Sequence, residues 1–137
     1  DLLPSPGLRV LFVDDEEPIR KLAIEMGYRL GYKVVTAGDA QEAVEAWSEA
    51  VKKGGGFDLA IVDLTIRGGP GGREILARLK SLAPDLPVLV SSGYSEDPVL
   101  SDWRRAGFAG LLRKPYDLSA FVYAIETAYS AACRDRD

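Results

Sequence analysis

Five short apolar runs recur along the chain at nearly even intervals, and a helical pattern follows each of them. The runs occupy residues 9–13, 33–36, 59–62, 88–90 and 111–112. They are rich in leucine and β-branched residues and do not alternate with polar ones, the pattern of parallel strands covered on both faces. After the first run, Ile19, Leu22, Ala23, Met26 and Leu30 recur at three- and four-residue spacing, with Pro18 at the first helical position and Gly31 as the stop. Ala40, Ala43, Val44, Trp47 and Val51 make a second stripe. Asp39 and Glu42 are spaced there as a capping box, and Gly54-Gly55-Gly56 closes the segment. Ile75, Leu76, Leu79 and Leu82 form a third face ending before Pro84. Pro98, Leu100 and Trp103 suggest a short fourth helix, and Leu118, Phe121, Val122, Ile125 and Tyr129 a fifth, opened by Asp117. Strands and helices in strict alternation predict an α/β three-layer sandwich, a doubly wound five-stranded parallel sheet with helices on both faces.

A chain of 137 residues holds one such domain and not two. Residues 1–7, with two prolines and a glycine, read as a linker rather than a signal peptide; 8–131 read as the domain and 132–137 as a C-terminal tail. Seventeen basic against twenty-one acidic residues give a formal charge of −4, the wrong sign for tracking a phosphate backbone, so direct nucleic-acid binding is not expected. The apolar runs fall far short of the roughly 20 residues that cross a bilayer, so no membrane contact is expected. Cys133 is the single cysteine, which excludes an internal disulfide and fits a reducing cytoplasm. Histidine is absent, so the chain carries no phosphohistidine of its own, and a phosphoryl group would come from a partner.

In open parallel sheets ligands bind beyond the carboxyl ends of the strands, where the strand order reverses. Four of the five runs deliver polar residues to that edge: Asp14-Asp15 after the first, Asp63 after the third, Ser91-Ser92 after the fourth, and Lys114 after the fifth. Carboxylates brought that close need a counter-ion. Oxygen-only ligands with positions left open for phosphate suit Mg²⁺. A carboxylate nucleophile, a metal, an ammonium group and a hydroxyl are the parts that phosphoryl transfer by positioning requires. Each residue also has an ordinary use. Asp14-Asp15-Glu16-Glu17 could simply cap the first helix, and an Asp at a strand end is common in turns.

Together these residues resemble the receiver domain of two-component response regulators. Residues 11–16 (LFVDDE) are similar to its first strand and acidic pair, 59–64 (LAIVDL) to its phosphoacceptor strand, 87–93 (PVLVSSG) to its fourth strand, and 112–116 (LRKPY) to its lysine-proline turn. The resemblance covers about residues 9–130 and implies the flavodoxin-like (βα)5 receiver fold. It implies that Asp63 is phosphorylated by a histidine kinase or histidine phosphotransfer domain. It further implies that Asp15, Asp63 and the Thr65 carbonyl hold Mg²⁺ with Asp14 assisting, and that Ser92 and Lys114 hold the phosphoryl oxygens. Ser92 is preferred over Ser91 because it stands five residues after Pro87 and twenty-two before Lys114. The peptide before Pro115 is expected to be cis, and Thr65 and Tyr94 to flank the path of hydrolytic water. Residues 63–66 (DLTI), 68–72 (GGPGG) and 91–95 (SSGYS) resemble the C-terminal receivers of hybrid sensor histidine kinases, which implies a cytoplasmic domain within a larger phosphotransferase. A stand-alone response regulator is the alternative.

Two positions depart from the family pattern. Arg67 stands where most receivers have proline, and the glycine-rich loop after it is one residue longer, which predicts a mobile loop. Leu111 stands where the family has an aromatic switch residue. Leucine lacks the hydroxyl that a tyrosine would turn inward, which favours a relay over a sharp switch. Trp103 and Tyr116 are candidates for partner surface or core packing there. An inert pseudo-receiver is disfavoured by the intact Asp15, Asp63, Ser92 and Lys114. A haloacid-dehalogenase-like phosphatase needs an acid where Thr65 stands. A flavin-binding relative would need a phosphate loop where residues 14–17 are all acids.

Overall fold

A computed structural model describes residues 3–93 and 97–136. Five parallel strands run in the order β2-β1-β3-β4-β5: β1 (Arg9–Val13), β2 (Lys33–Ala37), β3 (Leu59–Asp63), β4 (Val88–Ser92) and β5 (Gly110–Arg113). Helices α1 (Glu17–Leu30), α2 (Ala40–Gly54), α3 (Gly72–Leu82), α4 (Trp103–Ala106) and α5 (Leu118–Arg136) cover the two faces. This is the flavodoxin-like receiver fold.

The sheet separates two apolar layers. Leu11, Val13, Ala60, Val62, Val88 and Val90 point toward α2 and α3, whereas Val10, Phe12, Leu59, Ile61 and Leu89 point toward α1 and α5. Phe12 meets Phe121 of α5 at 6.5 Å between ring centres. Truncating a buried phenylalanine of this kind to alanine costs about 3–5 kcal/mol. β3 and β4 are buried along their whole length, as a run without alternation predicts. β2 is not, because it lies at the sheet edge: Lys33 and Val35 are exposed and only Ala37 is buried.

Local chemistry sets the helix ends. Asp39 accepts from the Glu42 amide at 2.8 Å, and Glu42 reaches back to the Gly38 amide at 2.7 Å, so the reciprocal cap closes one residue earlier than a strict capping box. Asp117 accepts from the Ala120 amide at the start of α5. Pro18 occupies the second position of α1, which begins at Glu17. The expected fourth helix divides into a 3-10 turn at Pro98–Leu100 and the single turn of α4. Leu22, Val51, Leu82 and Leu118, expected on buried stripes, are exposed at their margins. α5 continues to Arg136, through residues expected to form a tail.

Candidate functional site

The order of the strands reverses between β1 and β3, and the acids collect at their carboxyl ends. Backbone ladders extend past the strands and fix that edge. The Asp14 amide donates to Ala37 at 3.0 Å, Leu64 to Ser91 at 2.8 Å, and Lys114 to Ser92 at 2.7 Å. Arg20 also donates to the Asp14 carbonyl at 2.8 Å. The three carboxylates of Asp14, Asp15 and Asp63 each bring one oxygen within 4.8 Å of the others. Asp14 is fully buried, Asp63 is buried and Asp15 is partly open.

Lys114 closes the group from the β5 side, immediately before the cis Lys114–Pro115 peptide that the resemblance implied. Its Nζ lies 2.7 Å from Asp14, 3.5 Å from Asp63 and 3.6 Å from Glu16. Burial alone would lower the Lys114 pKa, but Asp14, Asp63 and Glu16 outweigh it and hold the ammonium group above its ordinary value. Asp63 moves the other way for a carboxyl: burial first, then the neighbouring Asp14, push it up to about 6, with Lys114 partly opposing and Asp15 adding to the rise. One ammonium group therefore leaves the acidic set under-compensated.

An open depression of about 240 Å³ leads to Asp63 and is lined by Asp15, Glu16, Thr65, Arg67, Ser92, Gly93 and Lys114. Ser92 lines it, and among the described residues its hydroxyl makes only a long 3.4 Å contact with the Gly93 carbonyl. Ser91 does not line it; its hydroxyl is buried, as is that of Tyr116. Burial, Asp14 and Asp63 together raise the Tyr116 pKa, with Ser91 opposing, so this phenol stays neutral behind the acids. The Tyr116 ring stacks on Phe121 and belongs to the core, and Trp103 packs against the other apolar layer beneath Arg104. Tyr94 lies outside the described residues.

Capping does not account for the acids after β1. Glu16 occupies the cap position of α1 without a side-chain bond to it, and Asp14 folds back to accept from the Glu16 amide at 2.9 Å. The donor set is all hard oxygen with surplus negative charge, which fits a divalent cation such as Mg²⁺. The loop expected to be mobile is half constrained. A Cβ on Gly72 would sit 2.7 Å from the Asp63 carbonyl oxygen, and one on Gly71 would sit 2.9 Å from that of Leu64. The start of α3 is thus pressed onto the backbone of the acid-bearing strand end, while Gly68, at φ +74°, and Gly69 stand in open space. Sequence reasoning missed Glu16, the third acid of its run, whose carboxylate reaches both Lys114 and Arg67.

The family model of the response regulator receiver domain matches residues 10–126. The chain belongs to this family. Among curated receiver-containing proteins it is 37% identical over 125 residues to the transcriptional regulatory protein PdtaR of Mycobacterium tuberculosis, covering 89% of this chain and 57% of that protein. It is 28% identical over 122 residues to the sensor kinase CckA of Brucella abortus, covering 89% of this chain and 12% of the kinase. This receiver therefore spans a little over half of one relative and a small part of the other. The crystal structure of the receiver domain of NtrX from Brucella abortus superposes with a TM-score of 0.78 at 27% identity, covering 88% of this chain and 98% of that one. No helix among the described residues is long and apolar enough to cross a membrane.

Proposed function

We propose that this receiver, with 8–131 as its working unit, accepts a phosphoryl group on Asp63 from a phosphohistidine of a histidine kinase or phosphotransfer protein. The observation that carries the reading is the convergence of Asp14, Asp15 and Asp63 within 4.8 Å, with Lys114 against them. An Asp63 oxygen attacks phosphorus in line; the new O–P bond forms as the P–N bond breaks, and the imidazole leaves with the electron pair. Asp63 must be ionised to attack. A carboxyl titrating near 6 is largely so at pH 7, and its partial desolvation makes it a stronger base than an exposed aspartate. Asp15, Asp63 and the Thr65 carbonyl would hold Mg²⁺, with Asp14 assisting, and the bound ion would supply charge neutralisation for the phosphoryl oxygens. Lys114 and the lightly engaged Ser92 hydroxyl offer the remaining positive charge and donor. Gaining about two negative charges at Asp63 draws both side chains toward the phosphate. Water then hydrolyses the acyl phosphate past Thr65.

Membership of a hybrid sensor kinase is supported by the likeness to the sensor kinase CckA and by the residue patterns at 63–66, 68–72 and 91–95. Such a parent would be the histidine kinase, with this domain as its cytoplasmic receiver. The higher identity to PdtaR favours a response regulator as the second reading.

The test is to incubate the protein with acetyl phosphate and Mg²⁺, reduce the acyl phosphate with borohydride, which expels phosphate and leaves homoserine, and locate that homoserine by peptide mass spectrometry. The expected result is a single modification at Asp63, lost in Asp63→Asn and without Mg²⁺. Stable incorporation by Asp63→Asn, or none by the unsubstituted protein, overturns the reading.

A further inference from the structure

Arg67 stands four residues after Asp63 and lines the same depression as Asp63, Ser92 and Lys114. Its side chain is 80% exposed, yet among the described residues its hydrogen bond and ion pairs fall on acids of the site. The Arg67 amide donates to Asp15 Oδ2 at 3.1 Å; its Nε lies 3.7 Å from the same oxygen, and Nη2 lies 3.9 Å from Glu16 Oε1. The other Glu16 oxygen lies 3.6 Å from Lys114. One carboxylate thus spans the mouth of the depression with a cation on each side. Four carboxylates, of Asp14, Asp15, Glu16 and Asp63, face two cations, Lys114 and Arg67. Lys114 is mostly buried and serves the inner pair, whereas Arg67 is the outer cation, on a loop whose next two residues are glycines in open space. Asp15, which Arg67 holds, is also one of the three carboxylates that converge.

We propose that Arg67 is a specificity-determining residue of the phosphoacceptor site: a second cation that contends with the divalent metal for Asp15 and Glu16 and, released from them, pairs with the phosphoryl oxygens arriving at Asp63. The proposal rests on the phosphoacceptor reading. A guanidinium group suits both partners, because its planar fork matches carboxylate and phosphoryl oxygens alike. Arg67 therefore acts in opposite directions on two ligands, weakening the cation and strengthening the anion. The loop supplies the freedom to exchange partners, and the constrained Gly71-Gly72 segment keeps that freedom local.

The experiment compares the unsubstituted protein with Arg67→Gln and Arg67→Lys. Mg²⁺ is titrated first by amide chemical shifts, then beryllofluoride is titrated at saturating Mg²⁺. Arg67→Gln is expected to bind Mg²⁺ about two- to fivefold tighter and beryllofluoride weaker by a similar factor, the scale of an exposed ion pair. Arg67→Lys is expected to fall between. The Arg67 Nε–H resonance should move on adding Mg²⁺ and again on adding beryllofluoride, which a charge acting only through space would not produce. Equal affinities in Arg67→Gln, a change of the same sign for both ligands, or an Nε–H resonance that ignores them overturns the proposal. If the unsubstituted protein itself binds neither ligand, the phosphoacceptor reading fails instead.

Discussion

The receiver buries carboxylates at both edges of its sheet, and the two edges treat them differently. At the amino edge, Glu126 of α5 accepts from the Ser5 amide at 2.8 Å, the Ser5 hydroxyl at 2.7 Å and the Tyr32 hydroxyl. Burial and Glu126 together raise the Tyr32 pKa, so the phenol remains a donor at all ordinary pH values. This carboxylate is satisfied by groups the chain supplies, and it pins the segment before β1 to α5. At the carboxyl edge, Asp14, Asp63 and Glu16 share Lys114, and Asp63 is held reluctant to ionise by burial and by Asp14. A buried charge with its full set of donors is architecture; a cluster short of positive charge is a place for something to bind.

The contrast can be broken first at Glu126. Replacing it with alanine removes a charged acceptor and leaves the Tyr32 hydroxyl and Ser5 amide without their partner, so urea denaturation should show a loss of about 3 kcal/mol. Phosphoryl acceptance at Asp63 should survive in the fraction that remains folded. The opposite sign is expected at the other edge. Because Asp63 titrates higher in the folded chain than in the unfolded one, the folded state holds the extra proton. The stability this confers is complete below about pH 4 and lost as pH rises through 6. Metal-free Asp63→Asn escapes that loss. It should be more stable than the unsubstituted protein at pH 7, by on the order of 2 kcal/mol, with the advantage gone below pH 4. Thermal melts across that range check both the sign and the window. The smallest effect is metal linkage. Mg²⁺ at ten times its dissociation constant should stabilise the unsubstituted protein by about 1.4 kcal/mol, a few degrees in Tm. Asp63→Asn should lose most of that gain, and Glu126→Gln should keep it.

How much of this was legible in the sequence follows the same division. The acids, Ser92 and Lys114 could be placed because apolar runs mark strand ends, and parallel strands put those ends on one edge. β2 was misjudged as doubly covered because its run of apolar residues looks like the others, and nothing local marks a strand as an edge. The Glu126 clip was invisible, since its partners lie 121 and 94 residues away and no pattern joins them. Glu16 was discounted as part of a capping run, although a third acid beside the converging Asp14 and Asp15 was a signal. Gly71 and Gly72 read as flexibility because composition does not show what a glycine is pressed against. The structure puts the Asp63 and Leu64 backbone there.

The most direct test of the difference between the two edges is a map of backbone amide shifts during a Mg²⁺ titration. Saturable shifts confined to residues around Asp14, Asp15, Asp63, Arg67 and Lys114, with Ser5, Tyr32 and Glu126 unmoved, are the predicted result. Shifts that fail to saturate, or that appear equally around Glu126, would contradict the account.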